Sequence, residues 1–231
     1  MCGIVGYVGS RQAAPILLEG LEKLEYRGYD SAGIAVRDGD KEPVVVKAKG
    51  RLRVLADKTD NGHALKGCCG IGHTRWATHG VPSETNAHPH VSTDGSVLAV
   101  HNGIFENYLE IREKLARHNY RFYSQTDTEA IVNLIDYYYK KYKMGPIDAI
   151  AKTLVRVRGS YALAIMFRDY PEQVYIARKD NPLNVGLGEG ENFIASDPSA
   201  CLKYTRRVCY IDNLEMGCVT AEGVTFYDLN G

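Results

Sequence analysis

The order of two hydrophobic periodicities along the chain constrains its fold more than any other feature of the sequence. Strand-like runs come first with one helical stripe among them, and apolar residues three and four apart then mark successive helices between residues 108 and 154. Strand-like runs resume at Ser160 and continue, with short turns between them, almost to the end of the chain. This order predicts a layered α+β architecture with largely antiparallel sheets.

The apolar runs also predict the individual elements. Strands are expected at residues 3–9, 32–36, 44–46, 70–73, 97–100, 161–167, 174–177, 193–195, 208–211 and 219–226. The strand over 97–100 should deliver residues 101–103 (HNG) at its end, after a long polar segment over 74–92. Thr126 and Glu129 have the spacing of a capping box and predict the start of a central helix.

Composition excludes several classes of function. The 231 residues are 45% hydrophobic and 24% charged, and 28 Lys+Arg balance 28 Asp+Glu to a formal net charge of zero. A neutral chain offers no electrostatic reason to bind nucleic acid or an anionic membrane. Neutrality also leaves little colloidal repulsion, which favours association with another copy or a partner.

The sequence also predicts the cellular compartment of the protein. No apolar run approaches the roughly 20 residues that span a bilayer, and the N-terminus lacks the pattern of a secretory signal. The spacing of the cysteines gives no pair of metal-site type. We therefore expect a cytoplasmic protein in which most thiols are buried as small hydrophobes. The six cysteines are Cys2, Cys68, Cys69, Cys201, Cys209 and Cys218.

Cys2 is the first candidate for chemistry. A methionine that precedes a small residue is normally removed in the cell, and removal of Met1 would make Cys2 the N-terminal residue. Its α-amine, with a reference pKa of about 7.7–8.0, would then be partly neutral near pH 7 and able to accept the proton of the thiol. A cysteine at position 2 is by itself more often without a role, so its neighbours decide between the two interpretations. If Met1 stays attached, the amine is blocked and the chain would be nearly inactive.

The neighbours of Cys2 resemble a known family. Residues 1–6 (MCGIVG) resemble the start of class II glutamine amidotransferases, which are N-terminal-nucleophile hydrolases. Six further segments resemble the glutaminase domain of glucosamine-6-phosphate synthases (glutamine–fructose-6-phosphate aminotransferases): 24–33 (LEYRGYDSAG), 73–80 (HTRWATHG), 86–90 (NAHPH), 101–103 (HNG), 126–129 (TDTE) and 188–197 (GEGENFIASD). The segments cover essentially the whole chain in order.

The resemblance implies a fold and an activity. The fold would be a four-layer αββα sandwich of two mainly antiparallel sheets, in which the first strand carries Cys2 into the site. The activity would be hydrolysis of L-glutamine to glutamate and ammonia through a γ-glutamyl thioester on Cys2. No cofactor or metal is expected. In full-length relatives, the ammonia serves glucosamine-6-phosphate synthesis from fructose 6-phosphate.

The resemblance also implies a domain organisation. Residues 1–231 would form one glutaminase domain, and the sugar-isomerase domains that accept the ammonia would be absent from this chain. We expect an excised domain of a longer, homo-oligomeric enzyme, with a natural stand-alone glutaminase as the alternative. An amidotransferase serving another acceptor would keep the same glutaminase half.

Asn102 and Gly103 are candidates for the oxyanion hole. Attack of a thiolate on a carboxamide creates an oxyanion, which a side-chain amide and a backbone N–H can stabilise. The resemblance assigns this role to the pair. Taken alone, Asn-Gly is also the commonest hairpin turn.

Arg75 and Asp127 are candidates for recognising the α-groups of glutamine. A guanidinium binds carboxylates in a planar, bidentate way, and a carboxylate can pair with the α-ammonium. The resemblance assigns Arg75 and Asp127 to these two tasks. The alternatives are a surface salt bridge for Arg75 and a first-turn acid that interacts with the helix dipole for Asp127.

The resemblance places a mobile loop over the substrate. Trp76, the only tryptophan, would lie on this loop, with Thr78 and His79 against the substrate. A partly buried core aromatic is the alternative for Trp76. Arg27 and His88 match further positions that line or support the site, without a defined role.

Five histidines in this region raise the question of a metal. No pair has the helical spacing of a zinc protease, and no cysteine pattern accompanies them, so no metal site is predicted. They are His73, His79, His88, His90 and His101. A competing hypothesis for the whole chain is a glutamine-binding or docking module without catalysis. The intact set of candidate site residues argues against it.

Overall fold

The computed structural model describes residues 2–27 and 29–231. Its strands are β1 (Gly3–Val8), β2 (Ser31–Arg37), β3 (Val44–Lys49), β4 (Cys69–Arg75), β5 (His90–Val91), β6 (Val97–Phe105), β7 (Gly159–Phe167), β8 (Val174–Lys179), β9 (Asn184–Leu187), β10 (Asn192–Ala195), β11 (Val208–Tyr210), β12 (Met216–Val219) and β13 (Val224–Tyr227). Its α-helices are α1 (Ala13–Leu24), α2 (Leu52–Lys58), α3 (Tyr108–Ala116), α4 (Asp127–Lys141) and α5 (Pro146–Leu154).

The strands form two sheets. One has seven strands in the order β11-β9-β10-β1-β4-β2-β3, and the other has six in the order β13-β12-β8-β7-β6-β5. Every pairing between these strands is antiparallel. Strand β1 lies inside the first sheet, between β10 and β4, so its N-terminal end delivers Cys2 beside Arg75 at the end of β4.

Three apolar clusters hold four layers together. Residues such as Leu17 and Leu21 of α1 pack on the outer face of the seven-stranded sheet. The second cluster, which includes Ile4 and Val100, fills the space between the sheets. The third, which includes Ile131 of α4, lies between the six-stranded sheet and helices α3 to α5. Because each apolar side chain contributes about 1.5–3 kcal/mol on burial, these interfaces stabilise the predicted αββα sandwich, which is confirmed.

The start of α4 is held by its own first residues. Thr126 Oγ1 accepts a hydrogen bond from the N–H of Glu129 at 3.4 Å, as the capping-box spacing predicts. The buried Glu129 carboxylate does not return to Thr126, however; it accepts from the N–H groups of Tyr123 at 2.9 Å and Ser124 at 2.7 Å. This network fixes the loop before α4 and so places Asp127, the first residue of the helix.

The structure differs from the sequence prediction at several elements. Residues 101–103 lie within β6, which continues to Phe105 because it pairs with β7 as far as Gly159. Residues 219–226 are the end of β12, a turn and the beginning of β13, rather than one strand. Helix α2 was not predicted, since it buries only Leu52 and Leu55 and shows barely one apolar turn.

The structure shows how exposed the thiols are and how long and apolar the helices are. Only Cys69 and Cys201 are buried, so the expectation that most thiols are buried is wrong; the other four cysteines are half-buried. All six are free thiols. Across residues 2–27 and 29–231, none of the helices combines the length and apolar character that crossing a bilayer requires.

Candidate functional site

A cavity of about 320 Å³ opens where the first residues of the chain meet β6 and the start of α4. Eight of the predicted site residues line it: Cys2, Arg75, Trp76, Thr78, His88, Asn102, Gly103 and Asp127. Six residues that were not predicted as site residues also line it: His101, Ile104, Thr128, Ser160, Asn181 and Pro182. Parts of the chain more than 100 residues apart thus meet around one space.

Cys2 presents its thiol to this cavity. Its Sγ accepts a hydrogen bond from the N–H of Trp76 at 3.1 Å. Burial raises the pKa of the thiol, and the nearby Asp30 carboxylate raises it further, while the Trp76 N–H and the Arg75 guanidinium lower it. The thiol is therefore protonated at neutral pH and needs a base before it can attack a substrate. Whether Met1 is removed concerns a residue outside the described part of the chain.

Asn102 and Gly103 lie beside Cys2 on β6. Asn102 Nδ2 donates to the backbone oxygen of Cys2 at 3.0 Å. Gly103 has a φ of +120°, and a Cβ at this position would overlap the carbonyl oxygen of Ser160. Only glycine fits both requirements. The hairpin-turn interpretation is wrong, because both residues are paired within the strand.

Arg75 is 3% exposed, which excludes the surface salt bridge. Its Nη2 donates to the carbonyl oxygens of His79 at 2.6 Å and Gly80 at 2.8 Å, and its Nη1 donates to that of Val81 at 3.3 Å. Asp30 Oδ1 lies 3.7 Å from Nη1. The guanidinium thus holds the loop after β4 while it faces the cavity.

Asp127 is positioned from two sides. Its backbone begins α4, where the helix dipole favours a negative charge. Its Oδ2 accepts from the N–H of Phe105 on β6 at 2.8 Å. The buried carboxylate therefore lines the cavity in a fixed position relative to Gly103, because Gly103 lies on the same strand, two residues before Phe105.

The loop after β4 carries the remaining predicted residues. Trp76 is 54% exposed, so it is not a core aromatic, and its ring meets Tyr29 edge to face at 6.0 Å. Thr78 lines the cavity, whereas His79 stacks on Tyr108 at 4.9 Å and lies outside the cavity lining. The side chain of Arg27 lies outside the described residues. Asp30 was missed as a site residue, although it accepts from the N–H of Ala77 and faces Arg75.

Four buried histidines cluster at the cavity, and two of them, His88 and His101, form part of its lining. The rings of His73 and His88 stack at 4.0 Å, and His90 meets His88 edge to face at 4.8 Å. His88 Nδ1 accepts from the N–H of His101 at 3.2 Å. Strand β2 passes close by, and a Cβ at Gly33 would overlap the carbonyl oxygen of His88. Among the described residues, no group of histidine, cysteine and carboxylate side chains has the arrangement of a metal site.

Burial keeps these histidines neutral. It lowers the pKa of His73 to about 3, lowers those of His88 and His90 well below 6.5, and lowers that of His101 despite the opposing charge of Asp127. Unfolded histidines protonate near pH 6.5, so the unfolded state binds more protons below that pH. The stability that these neutral rings contribute is complete above pH 6.5 and is lost as the pH falls below it.

Lowering the pH from 7 to 5 is therefore expected to destabilise the fold. His73 alone contributes a loss of about 2 kcal/mol, because its ring stays neutral in the folded state while it protonates in the unfolded chain. Urea unfolding at pH 7, 6 and 5 measures the change. A free energy of unfolding that stays constant across this window would contradict the buried, neutral state of the cluster.

The sequence of this chain is similar to the sequences of known proteins. Residues 73–203 match the family described as glutamine amidotransferase domain. The chain is 52% identical over 232 residues to the glutamine–fructose-6-phosphate aminotransferase (isomerizing) of Caldanaerobacter subterraneus subsp. tengcongensis, covering 100% of this chain and 37% of that protein. A protein of the same name from Thermus thermophilus is 51% identical over 233 residues, with the same coverage. The chain thus spans little more than a third of these curated relatives.

Solved structures share the fold. A glutamine phosphoribosylpyrophosphate amidotransferase from B. subtilis, solved with ADP and GMP, superposes with a TM-score of 0.84 at 25% identity, covering 99% of this chain and 49% of that chain. A glutamine aminotransferase class-II domain protein from Silicibacter pomeroyi superposes with a TM-score of 0.68 at 17% identity, covering 99% of each chain. The second likeness concerns the fold alone.

Proposed function

Since the chain belongs to the glutamine amidotransferase family, we propose that it hydrolyses L-glutamine to glutamate and ammonia with Cys2 as nucleophile. The observation that carries the proposal is the arrangement around one cavity: a thiol, a side-chain amide beside a glycine with positive φ, a buried guanidinium and a buried carboxylate. Each of these groups has a task in amide hydrolysis, and together they match the chemical groups of glutamine.

The first step forms a bond between sulfur and the side-chain carbonyl carbon of glutamine. The α-amine of Cys2, free once Met1 is removed, takes the thiol proton, because burial keeps the thiol protonated until a base acts. Negative charge develops on the carbonyl oxygen. Asn102 Nδ2–H and the N–H of Gly103 stabilise this oxyanion, each at a strength of a few kcal/mol.

The second half of the reaction frees the products. The protonated amine gives its proton to the leaving nitrogen, the carbon–nitrogen bond breaks, and ammonia leaves a γ-glutamyl thioester on Cys2. A water molecule, deprotonated by the same amine, then attacks the thioester. The carbon–sulfur bond breaks, glutamate leaves, and the thiol regains its proton.

Recognition of glutamine falls to Arg75 and Asp127. The guanidinium pairs with the α-carboxylate, and the carboxylate of Asp127 pairs with the α-ammonium. Trp76 and Thr78 lie on the loop that Arg75 holds, so the loop and the substrate share one cation. His79 and His88 support the loop and the floor of the site respectively. A docking module without catalysis would not require this full set.

In the full-length protein, the proposal has the ammonia used by a second domain. Residues 1–231 form the glutaminase domain in this proposal, and a sugar-isomerase domain outside the chain accepts ammonia for glucosamine-6-phosphate synthesis from fructose 6-phosphate. The names and the greater length of the curated relatives support this extension. The proposal includes a homo-oligomeric full-length enzyme in the cytoplasm.

The experiment that tests the glutaminase combines ammonia release with intact mass. The purified chain is weighed before and after exposure to the glutamine analogue 6-diazo-5-oxo-L-norleucine. Loss of Met1, one adduct on Cys2 and protection by excess glutamine are expected, together with release of ammonia from glutamine. A chain that lacks Met1 yet takes up no label and releases no ammonia overturns the proposal in favour of a binding module.

Removing the charge of Asp127 is expected to weaken glutamine binding selectively. Asp127→Asn keeps an oxygen for the N–H of Phe105 but loses the charge-assisted bond to the ammonium, so KM should rise about 10- to 100-fold with little change in kcat. Steady-state kinetics measure both. Asp148→Asn, which removes the same charge from the first turn of α5, is the matched control. An unchanged KM in Asp127→Asn would exclude the ammonium contact.

A further inference from the structure

His73 is a buried group that the proposed mechanism leaves without a task. It lies on β4, is 0% exposed, and touches the reacting groups only through Asn102. We propose that His73 is a positioning residue that fixes the orientation of the Asn102 amide, so that its NH₂ group and not its oxygen faces the oxyanion. This inference rests on the proposed glutaminase function.

The backbone determines which nitrogen of His73 carries hydrogen. His73 Nε2 lies 3.0 Å from the carbonyl oxygen of His101 and 3.0 Å from Asn102 Oδ1. A backbone carbonyl can only accept a hydrogen bond, so Nε2 must be the donor. The two acceptors share one N–H.

The other nitrogen leads to the same tautomer. His73 Nδ1 is buried and has no hydrogen-bond partner among the described residues. An N–H at this position would be a buried donor without an acceptor, which costs more than a bare lone pair that requires no bond. Burial also holds the ring neutral at physiological pH, with a pKa of about 3. His73 is therefore the neutral Nε2–H tautomer.

That tautomer selects one of the two orientations of the Asn102 amide. The two ends of an amide have nearly the same shape, so packing alone does not distinguish them. The Nε2–H of His73 requires an acceptor and so selects Oδ1, while the carbonyl oxygen of Cys2 requires a donor and selects Nδ2 at 3.0 Å. One hydrogen of the NH₂ group goes to Cys2, and the second is free for the oxyanion.

The reversed amide would harm catalysis. Its oxygen would face the carbonyl oxygen of Cys2 and the developing negative charge, replacing attraction by repulsion. The chain of contacts from the His101 carbonyl through His73 to Asn102 thus determines the sign of the interaction at the reacting oxygen.

Three variants of His73 test the inference. The amide nitrogen of glutamine reaches the place of Nε2, so His73→Gln keeps a donor there. His73→Asn is the matched control, because its shorter amide reaches only the place of Nδ1, and His73→Leu removes the donor. Ammonia release is measured against glutamine concentration, and thermal unfolding monitors the fold.

We expect His73→Leu and His73→Asn to lower kcat about 10- to 100-fold, with KM for glutamine changed less than about three-fold. The loss is smaller than deletion of the donor itself, since Cys2 still favours the correct orientation. His73→Gln should retain kcat within about three-fold. Equal losses in the Gln and Asn variants, or full activity in His73→Leu, would overturn the inference.

A second measurement does not depend on any variant folding or on activity. Nitrogen-15 NMR of the histidine rings in the wild-type chain should show His73 as the neutral Nε2–H tautomer from pH 7.5 to 5.5. An Nδ1–H tautomer or a charged ring would overturn the inference. A wild-type chain that releases no ammonia overturns the proposed function instead, while the ring spectrum still reports on His73.

Discussion

Alanine at position 2 is expected to abolish ammonia release, lowering kcat by at least about 10⁴-fold, since loss of a covalent nucleophile removes the acyl-enzyme route altogether. Binding of glutamine should survive, because the proposed function assigns its α-groups to Arg75 and Asp127, which line the cavity independently of the thiol. Ammonia release and calorimetric binding of glutamine measure the two effects. Cys68→Ala, which removes another half-buried thiol, is the matched control and should leave kcat unchanged.

The serine variant sharpens the same test. Cys2→Ser keeps the shape of the side chain and its contact with the Trp76 N–H, but offers a much weaker nucleophile. Its kcat should fall nearly as far as that of Cys2→Ala. If either variant turns over glutamine at a rate close to the wild type, Cys2 is not the nucleophile.

Alanine in place of Asn102 is expected to lower kcat about 10²- to 10³-fold, the usual effect of removing one oxyanion donor. The KM for glutamine should change little, because the oxyanion exists only in the transition state. The comparison with Asp127→Asn is informative, since that change should act on KM and leave kcat. A raised KM with an intact kcat in Asn102→Ala would place Asn102 in substrate binding and not in oxyanion stabilisation.

Much of the fold was predictable because its elements carry strong local patterns. The apolar stripe of α1 and the apolar runs of the long strands predicted the layers, and Thr126 predicted the start of α4. Helix α2 and the extension of β6 were not predictable, because their formation depends on pairing and packing with distant residues. The residues before Phe105 belong to a strand only because β7 lies beside them.

The candidate site was predictable where short sequence motifs contain residue types with a recognisable chemical role. Cys2, Asn102 and Gly103 were recognised as a set, and the structure brings them together. Asn181 and Ser160 reach the cavity from loops and strands that carry no chemical signal of their own. Asp30 lies within a recognisable segment, but its task of holding Arg75 and the following loop appears only in three dimensions.

The bond between Asp127 and the N–H of Phe105 has a consequence for choice of substrate. It ties the Asp127 carboxylate, which pairs with the α-ammonium in the proposed function, to the strand that carries Gly103. Phe105 lies two residues, or about 6.6 Å, from Gly103 along that strand. The strand thereby fixes the separation between the group that pairs with the α-ammonium of glutamine and the group that meets its side-chain amide. Asparagine is one methylene shorter and cannot contact Asp127 and Gly103 at the same time. A difference of one methylene corresponds to a preference for glutamine over asparagine of roughly 10- to 200-fold in kcat/KM.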